Sequence, residues 1–349
     1  MVIEIQRRQL IASVGAGSLT GIVVGTAKGN SESEEWVEID THKAGGDVIR
    51  TERVPDKWYV QLEKSRRVQE QLSNDMLNNT GVERVSRANS DDTINGFGKT
   101  EIVVEAKDPD HISDIEEIDG IPIRVEKTVE LEDEYCEPSS PSCVPGGASV
   151  SRPFALNFTN CCPIEYQNDS RYLTTAHGFG DPCEDNIENT IYTTYPGGED
   201  IGMVEMFDPV LDFAVIEPYQ STPGNNVIPE PNIPIWGYVT ENGIDLLRSN
   251  NEQIEKYGSN TCHQLGEITS VSTLNQCGEA EQWIMGEFGN TGSGDSGGPH
   301  FHHIQDTQGE YISIVGVHKA GDGEMNTRAS PAWRLADEYN IWFGTGSTC

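Results

Sequence analysis

The pattern of apolar and polar positions divides the chain into a front segment and a differently patterned second half. Residues 31 to about 95 are polar and show no clear period. Apolar residues at 102–104 then predict a strand, isoleucines every three residues over 112–118 predict one face of a helix, and alternation over 121–125 predicts a second strand. We therefore expect a small α/β domain in the front segment, residues 31–140, with a β-α-β unit at about 99–134.

The second half, residues 146–349, has many short strand-like runs separated by Gly, Pro and Asn turns. A linker rich in Pro and Gly precedes it, at 138–147. This pattern is typical of an all-β barrel or sandwich. Near the end, Ser330 and Pro331 precede an apolar run with helical spacing, which predicts a C-terminal helix with Ser330 as its N-cap.

The first 30 residues have the pattern of an export signal. Arg7 and Arg8 precede a weakly apolar run that ends near Ala27 and contains several glycines. This arrangement resembles a twin-arginine signal, and an uncleaved N-terminal anchor is the alternative. No other segment is long and apolar enough to span a bilayer. We expect a mature chain without a membrane span, secreted or held at the cell surface.

The cysteine content agrees with an extracytoplasmic location. The chain has eight cysteines and no C-x-x-C pair, which favours disulfides over a zinc site. Local spacing suggests three pairings, which are Cys136 with Cys143, Cys262 with Cys277, and Cys183 with Cys161 or Cys162.

The charge of the chain limits its partners and its solvent. With 57 acidic and 23 basic side chains, the formal net charge is −34. Such a charge argues against binding nucleic acid or an anionic membrane, and it destabilises the folded chain through self-repulsion. Because the Debye length falls to about 3 Å in 1 M salt, a saline solvent would relieve the repulsion. We expect adaptation to high salt.

Candidate chemistry is concentrated in a glycine-rich segment, residues 292–299. Its core is the string Gly-Asp-Ser-Gly-Gly-Pro at 294–299, with Ser296 as a candidate nucleophile. A serine hydroxyl needs a base to remove its proton, and glycines allow a tight turn whose amides can hold an oxyanion. A glycine-rich surface turn is the alternative interpretation of a shorter match, but this string is longer than a bare G-x-S-x-G.

A base and an orienting acid are available upstream. His177 ends a β-prone run, and Asp212 directly precedes the apolar run 213–216. Asp208, beside Pro209, is the competing carboxylate. We prefer Asp212, because burial against an apolar strand would strengthen its hydrogen bond to an imidazole.

These motifs resemble those of the chymotrypsin-like (trypsin-fold) serine endopeptidases, in the order His177, Asp212, Ser296. The resemblance covers about residues 146–349, and it implies a double six-stranded antiparallel β-barrel with a C-terminal helix. It also implies an oxyanion hole formed by the amides of Gly294 and Ser296, protein or peptide substrates, and no cofactor. An α/β-hydrolase elbow also fits G-x-S-x-G, but that fold needs the acid and the histidine after the serine.

Three positions near the nucleophile bear on substrate choice. Asn290 stands where trypsin-like members have an aspartate, so the resemblance does not support cleavage after Lys or Arg. Thr291 and His318 look like positions of the glutamyl endopeptidases of the same fold, although Lys319 departs from their pattern. A hydroxyl and a histidine can bind a carboxylate. A small-to-medium polar pocket is the preferred expectation, with acidic specificity as the alternative.

The front segment is expected to act as a pro-region, as in microbial members of the family, or as a permanent accessory domain. Asp295 is present, but no processed amino terminus that could pair with it is evident. His300 and His302 would share one face of a strand, yet we expect surface histidines and no metal. The sequence thus predicts an exported, monomeric serine endopeptidase. An inactive protease-fold binding protein or a latent zymogen is the alternative.

Overall fold

The structure is a computed structural model, and it describes residues 35–77, 81–107, 116–127, 144–151, 157–180, 183, 190–193, 200–219, 224–228, 232–306, 309–322 and 325–344. The expected export signal, Cys136, Cys143 and Cys349 lie outside these residues. No helix within the described ranges is long and apolar enough to cross a membrane.

The front segment is well structured, although its sequence shows little periodicity. Its elements are β1 (Trp36–Ala44), β2 (Asp47–Pro55), α1 (Asp56–Met76), β3 (Val82–Ile94), β4 (Phe97–Ala106), β5 (Glu117–Ile118) and β6 (Ile121–Lys127). Helix α1 buries Trp58, Leu62, Val68 and Leu72 against the strands. Regular structure thus begins well before residue 95, in a stretch for which the sequence pattern predicts no particular elements.

The region for which a β-α-β unit is expected contains the strands β4 and β6. β4 and β6 pair in parallel, with Ile102 opposite Ile123, as a crossover connection requires. Ile118 lies in β5, antiparallel to β6, so the predicted helix does not extend to it. The positions of Ile112 and Ile115 lie outside the described residues.

The second half consists mainly of strands. Up to residue 228 these are β7 (Val144–Pro145), β8 (Ser149–Ser151), β9 (Asn157–Thr159), β10 (Cys162–Tyr166), β11 (Asp169–Thr175), β12 (Thr190–Thr193), β13 (Asp200–Asp208), β14 (Phe213–Pro218), β15 (Gly224–Asn225) and β16 (Val227–Ile228). After them come β17 (Ile233–Val239), α2 (Glu241–Ser249), β18 (Gln253–Gly258), β19 (Cys262–Gln276), β20 (Glu279–Phe288), β21 (Pro299–Asp306), β22 (Gly309–Gly321), β23 (Asn326–Pro331), α3 (Ala332–Tyr339) and β24 (Trp342–Phe343).

Two sheets carry the second half. One has the order β24-β10-β11-β14-β13-β12-β8-β9. In the other, β22 pairs with β21, β21 with β18, β18 with β19, β19 with β20, β20 with β23, and β23 again with β22. An apolar core that includes Leu173, Phe213 and Ile314 lies between the two sheets. The fold is mostly β, as expected, but the described pairings do not establish the predicted double six-stranded barrel.

Strands of the front segment extend the second of these sheets. β1 pairs antiparallel with β17, and β3 pairs antiparallel with β19. Buried ionic contacts join the same two parts, since Arg66 of α1 and Arg87 of β3 both pair with Asp245 of α2. The front segment is therefore built into the sheet that carries the candidate nucleophile.

The cysteine pairing differs from the local expectation. Cys183 is bonded to Cys277, with their Cα atoms 5.1 Å apart, and Cys161 and Cys162 are buried free thiols. Cys262 is disulfide-bonded too, but not to Cys277. The guesses for Cys183 and for Cys262 are therefore wrong, because the fold brings Cys183 to the end of β19, far along the chain.

The C-terminal helix is present as α3, and it begins one residue later than expected. Pro331 is its N-cap, and Ser330 belongs to β23. The Ser330 hydroxyl donates to the backbone carbonyl of Leu211 instead of capping the helix. This contact ties the strand before the helix to the residue that precedes Asp212.

Candidate active site

His177 and Asp212 are held together by the ends of two paired strands. His177 follows β11, Asp212 precedes β14, and these strands pair antiparallel with Thr175 opposite Phe213. The His177 Nδ1 atom lies 2.7 Å from Asp212 Oδ2, and the His177 backbone amide donates to Asp212 Oδ1 at 2.9 Å. The carboxylate thus fixes both the position and the tautomer of the imidazole.

Asp212 is fully buried, and its charge is balanced locally. Burial alone would raise the pKa of its carboxyl, but His177 and the Lys319 ammonium outweigh that effect and hold the pKa well below its usual range. Its backbone has a φ of 54°, a left-handed conformation that costs energy in a residue other than glycine. The structure therefore keeps this carboxylate ionised and aimed at the imidazole.

Asp208, the competing carboxylate, has other partners. Its Oδ1 accepts from the amides of Val210 and Leu211, at 2.9 and 2.6 Å, and its Oδ2 accepts from the Tyr339 hydroxyl at 2.5 Å. These contacts stabilise the turn before Asp212. The preference for Asp212 as the partner of His177 agrees with the geometry.

Ser296 lies in a turn that is tied to the neighbouring strands. Its backbone carbonyl accepts from the amide of Thr159 at 2.7 Å, and the next amide, from Gly297, donates to His318 O at 2.7 Å. Gly297 has a φ of +89°, and a Cβ there would lie 2.2 Å from Thr159 O. Glycine is required at this position by both the backbone conformation and the space.

Asp295, beside the nucleophile, forms a buried ion pair with Lys256 of β18. The same carboxylate accepts from the Thr261 hydroxyl at 2.5 Å and from the Gly292 amide at 3.2 Å. The cation that pairs with Asp295 is therefore an internal lysine of the chain. Sequence reasoning missed Lys256, because nothing in the local pattern of β18 links it to residue 295.

The backbone beside the candidate oxyanion amides is held by hydrogen bonds to neighbouring residues. The carbonyl of Gly294 accepts from the hydroxyls of Thr159 and Ser259, at 2.5 and 2.8 Å. Within the described residues, the amides of Gly294 and Ser296 donate to no protein acceptor. Two free N–H groups beside the nucleophile are what an oxyanion needs.

The hydroxyl of Ser296 does not contact His177 in this structure. It donates instead to the backbone carbonyl of Lys319, at 3.0 Å. The side chain of Lys319 returns to the same cluster, because its Nζ lies 3.1 Å from Asp212 Oδ2. Lys319 thus links Ser296, through its backbone carbonyl, to the His177–Asp212 pair, through its side chain.

The candidate specificity residues are placed next to the nucleophile turn. His318 is buried, its amide donates to Gly298 O at 2.7 Å, and its Nδ1 lies 2.9 Å from Nε2 of His300. Burial lowers the pKa of both imidazoles well below the usual value, so both are neutral near pH 7.

Thr291 and Asn290 are the other two candidate specificity residues, and they precede the nucleophile turn. The Thr291 hydroxyl is buried and has no hydrogen-bond partner among the described residues, while the Asn290 side-chain oxygen accepts from the Thr291 amide at 2.9 Å. A buried hydroxyl without a partner is uncommon and is suited to binding a polar group of a ligand.

His300 and His302 lie on one strand, β21, and both are buried. His302, expected at the surface, is buried with its Nδ1 3.1 Å from Nε2 of His42 on β1, and it pairs with Glu252. His300 is buried too, so the expectation of surface histidines is wrong for both. No group of three or more His, Cys, Asp or Glu side chains in the described part of the chain could hold a metal ion.

The chain resembles known proteins in structure but not detectably in sequence. No protein-family model and no curated protein sequence matches the chain. A glutamic acid-specific serine protease, described as using a histidine triad in substrate binding, is 16% identical with a TM-score of 0.44, covering 57% of this chain and 100% of its own. Protease A of Thermobifida fusca is 15% identical with a TM-score of 0.43, covering 58% and 100%.

A chymotrypsin from Cellulomonas bogoriensis is also similar, at 17% identity and a TM-score of 0.41, covering 57% of this chain and 97% of its own. The structural neighbours of the chain are therefore serine proteases of the chymotrypsin type, at low identity.

Proposed function

We propose that the chain is a serine endopeptidase in which Ser296 attacks the peptide carbonyl, His177 takes the serine proton, and Asp212 orients His177. The observation that carries the proposal is the His177–Asp212 contact of 2.7 Å beside a buried, ionised carboxylate. An imidazole held this way is a competent base, provided that the serine hydroxyl turns toward it. The amides of Gly294 and Ser296 would stabilise the oxyanion, and an acyl-enzyme would then be hydrolysed by water.

The substrate is proposed to be a protein or peptide with a polar side chain before the scissile bond. The buried Thr291 hydroxyl has no partner in the part of the chain that the structure describes and can bind such a group, whereas the low pKa of His318 means that its imidazole offers no positive charge near pH 7. Lys319 is already paired with Asp212. A polar residue is therefore favoured over glutamate, and profiling of a peptide library by residue type at this position compares the two.

The location, the oligomeric state and the salt adaptation of the enzyme are proposed from the sequence. We place the enzyme outside the cytoplasm as a monomer, exported by the signal at 1–30 and adapted to high salt by a net charge of −34. Activity that persists unchanged after dilution from molar salt into dilute buffer would contradict the salt adaptation.

A latent form is a second candidate, and one observation favours it. The Ser296 hydroxyl donates to Lys319 O and makes no hydrogen bond to His177. A chain held in that arrangement by its front segment would fold as a protease without reacting.

The experiment that tests the proposal is labelling with a fluorophosphonate probe in molar salt, read by intact mass. Ser293 lies in the same turn as Ser296, so Ser293→Ala is a matched control. We expect one adduct on the wild-type chain and on Ser293→Ala, and none on Ser296→Ala or His177→Gln. Labelling only after removal of the front segment would support the latent form, and a folded chain that never reacts would be an inactive protease-fold protein.

A further inference from the structure

Lys319 is a buried cation placed directly on the candidate catalytic carboxylate. Its side chain is 8% exposed, and its Nζ lies 3.1 Å from Asp212 Oδ2, the same oxygen that His177 Nδ1 approaches at 2.7 Å. The lysine and the histidine therefore compete for one oxygen. An ammonium in such a position opposes the build-up of positive charge on the imidazole.

The surroundings of Lys319 fix it in this position. Its Nζ lies 4.5 Å from the ring centre of Trp283, which is fully buried. The guanidinium of Arg328 lies 5.6 Å from the Trp283 ring centre. Burial, helped by the Arg328 charge, lowers the pKa of Lys319 to about 8, although the Asp212 carboxylate acts in the opposite direction. The ammonium is thus charged near pH 7 but loses its proton in mildly alkaline solution.

The same surroundings define what acts on His177. Asp212 contacts its Nδ1, the Thr175 hydroxyl lies 2.7 Å from that atom, and the buried His318 interacts with it electrostatically. Because His318 is neutral near pH 7, Lys319 is the cation that reaches the His177–Asp212 pair most directly.

We propose that Lys319 is a positioning residue for the reaction of Ser296, sharing the Asp212 carboxylate with His177 so that the imidazole stays neutral, and able to accept the serine proton, down to a lower pH. This inference rests on the proposed function for its effect on rate, but the coupling between the three side chains is a property of the folded chain. No atom of Lys319 needs to touch the substrate, and its proton is not transferred in the reaction.

Removal of the charge is the first test. In Lys319→Met the unopposed carboxylate would stabilise the protonated imidazole, so the acid limb of kcat/KM should move up by about one pH unit. Lys319→Arg keeps the charge and should restore the wild-type limb. Lys99→Met removes an exposed lysine paired with Asp92 and should leave the limb unchanged. A merely structural role would lower the rate at every pH without moving the limb.

A readout without catalysis separates this inference from the proposed function. In Ser296→Ala, the ring signals of ¹³C-labelled His177, assigned by their loss in His177→Gln, are followed by NMR over pH in molar salt. We expect the titration midpoint to rise by about one unit when Lys319→Met is added. Without that variant, the His177 signal should still shift a second time as Lys319 loses its proton near pH 8.

The opposite results would overturn the inference. An unchanged midpoint in folded Lys319→Met would mean that Lys319 does not act on the imidazole. A chain that cuts no peptide but shows the coupling by NMR would contradict the proposed function and leave the Lys319 assignment intact.

Discussion

Lys256 and Asp295 form an ion pair in which both side chains are 1% exposed, one residue before the candidate nucleophile. Removal of one partner from a buried pair leaves the other charge uncompensated, at a cost of about 3–5 kcal/mol. The Asp295 carboxylate also accepts from the amides of Asn260, Thr261 and Gly292, so its displacement would disturb the whole turn.

We therefore expect Lys256→Met to lower the free energy of unfolding by about 3 kcal/mol or more and to reduce fluorophosphonate labelling of Ser296. Lys256→Met combined with Asp295→Asn removes both charges and should be less destabilised than the single variant. Chemical denaturation in molar salt measures both. A Lys256→Met chain as stable as the wild type would show that the ion pair does not support the turn.

Two glycines with nearly the same backbone conformation separate strain from crowding. Gly297 and Gly278 have φ values of +89° and +88°, but a Cβ at Gly297 would lie 2.2 Å from Thr159 O, whereas nothing lies within 4 Å of one at Gly278. We expect Gly278→Ala to cost about 1 kcal/mol of stability and to keep labelling at Ser296. Gly297→Ala should cost more and abolish labelling, and equal effects of the two changes would refute the crowding argument.

Local motifs and long-range contacts differ in how far the sequence predicts them. Short local motifs identify three of the candidate residues, because the residue types in each motif suggest a chemical role. These residues are His177, Asp212 and Ser296. Lys256 and Lys319 do not, since their roles depend on contacts with residues 295 and 212 across the fold. The residue pattern of β18 and β22 does not predict which residues these two lysines contact.

The front segment shows a different reason for failure. Helix α1 buries Ser65 and Gln69 on the same face as its apolar residues. The side-chain nitrogen of Gln69 donates to Val85 O and Val271 O, at 3.0 and 2.8 Å, so its N–H groups are satisfied although buried. Polar residues at core positions interrupt the apolar period and hide the helix from a pattern-based prediction.

Three buried histidines should make the stability of the chain depend on acid. Burial lowers the pKa of His42, His300 and His318 well below the usual histidine value of 6.5. Below pH 6.5 the unfolded chain takes up protons on these imidazoles and the folded chain does not, so their contribution is fully present above pH 6.5 and is lost as the pH falls.

We expect the free energy of unfolding to fall with decreasing pH below 6.5, by up to about 1.4 kcal/mol per pH unit for each histidine. His42→Gln should reduce this slope by the amount that corresponds to one proton taken up on unfolding. The matched control is His303→Gln, at a more exposed histidine, which should leave the slope unchanged. Urea denaturation at a series of pH values in molar salt measures the slope. Equal slopes for the wild type and His42→Gln would rule out the contribution of His42.

The contacts around Asp245 decide how firmly the front segment is held. Asp245 lies 2.8 Å from Arg66, 3.3 Å from Arg87 and 3.3 Å from Arg248, and its side chain is fully buried. Burial would raise the pKa of its carboxyl, but the arginines lower it to about 2. Two of these arginines belong to the front segment, so its departure would leave a buried carboxylate with Arg248 alone.

We expect the front segment to stay bound after the chain is cut between it and the second half. A cleavage site for a specific protease, inserted within residues 131–140, would produce two fragments. In molar salt these should elute together from a sizing column, because β1 and β3 remain paired with β17 and β19 and the Asp245 contacts persist. Asp245→Asn removes the buried charge that the three arginines share and should release the front fragment, at a cost of about 3–5 kcal/mol. Lys99→Met, at an exposed pair in the same segment, should not. Immediate separation of the wild-type fragments would favour a removable pro-region over a permanent domain.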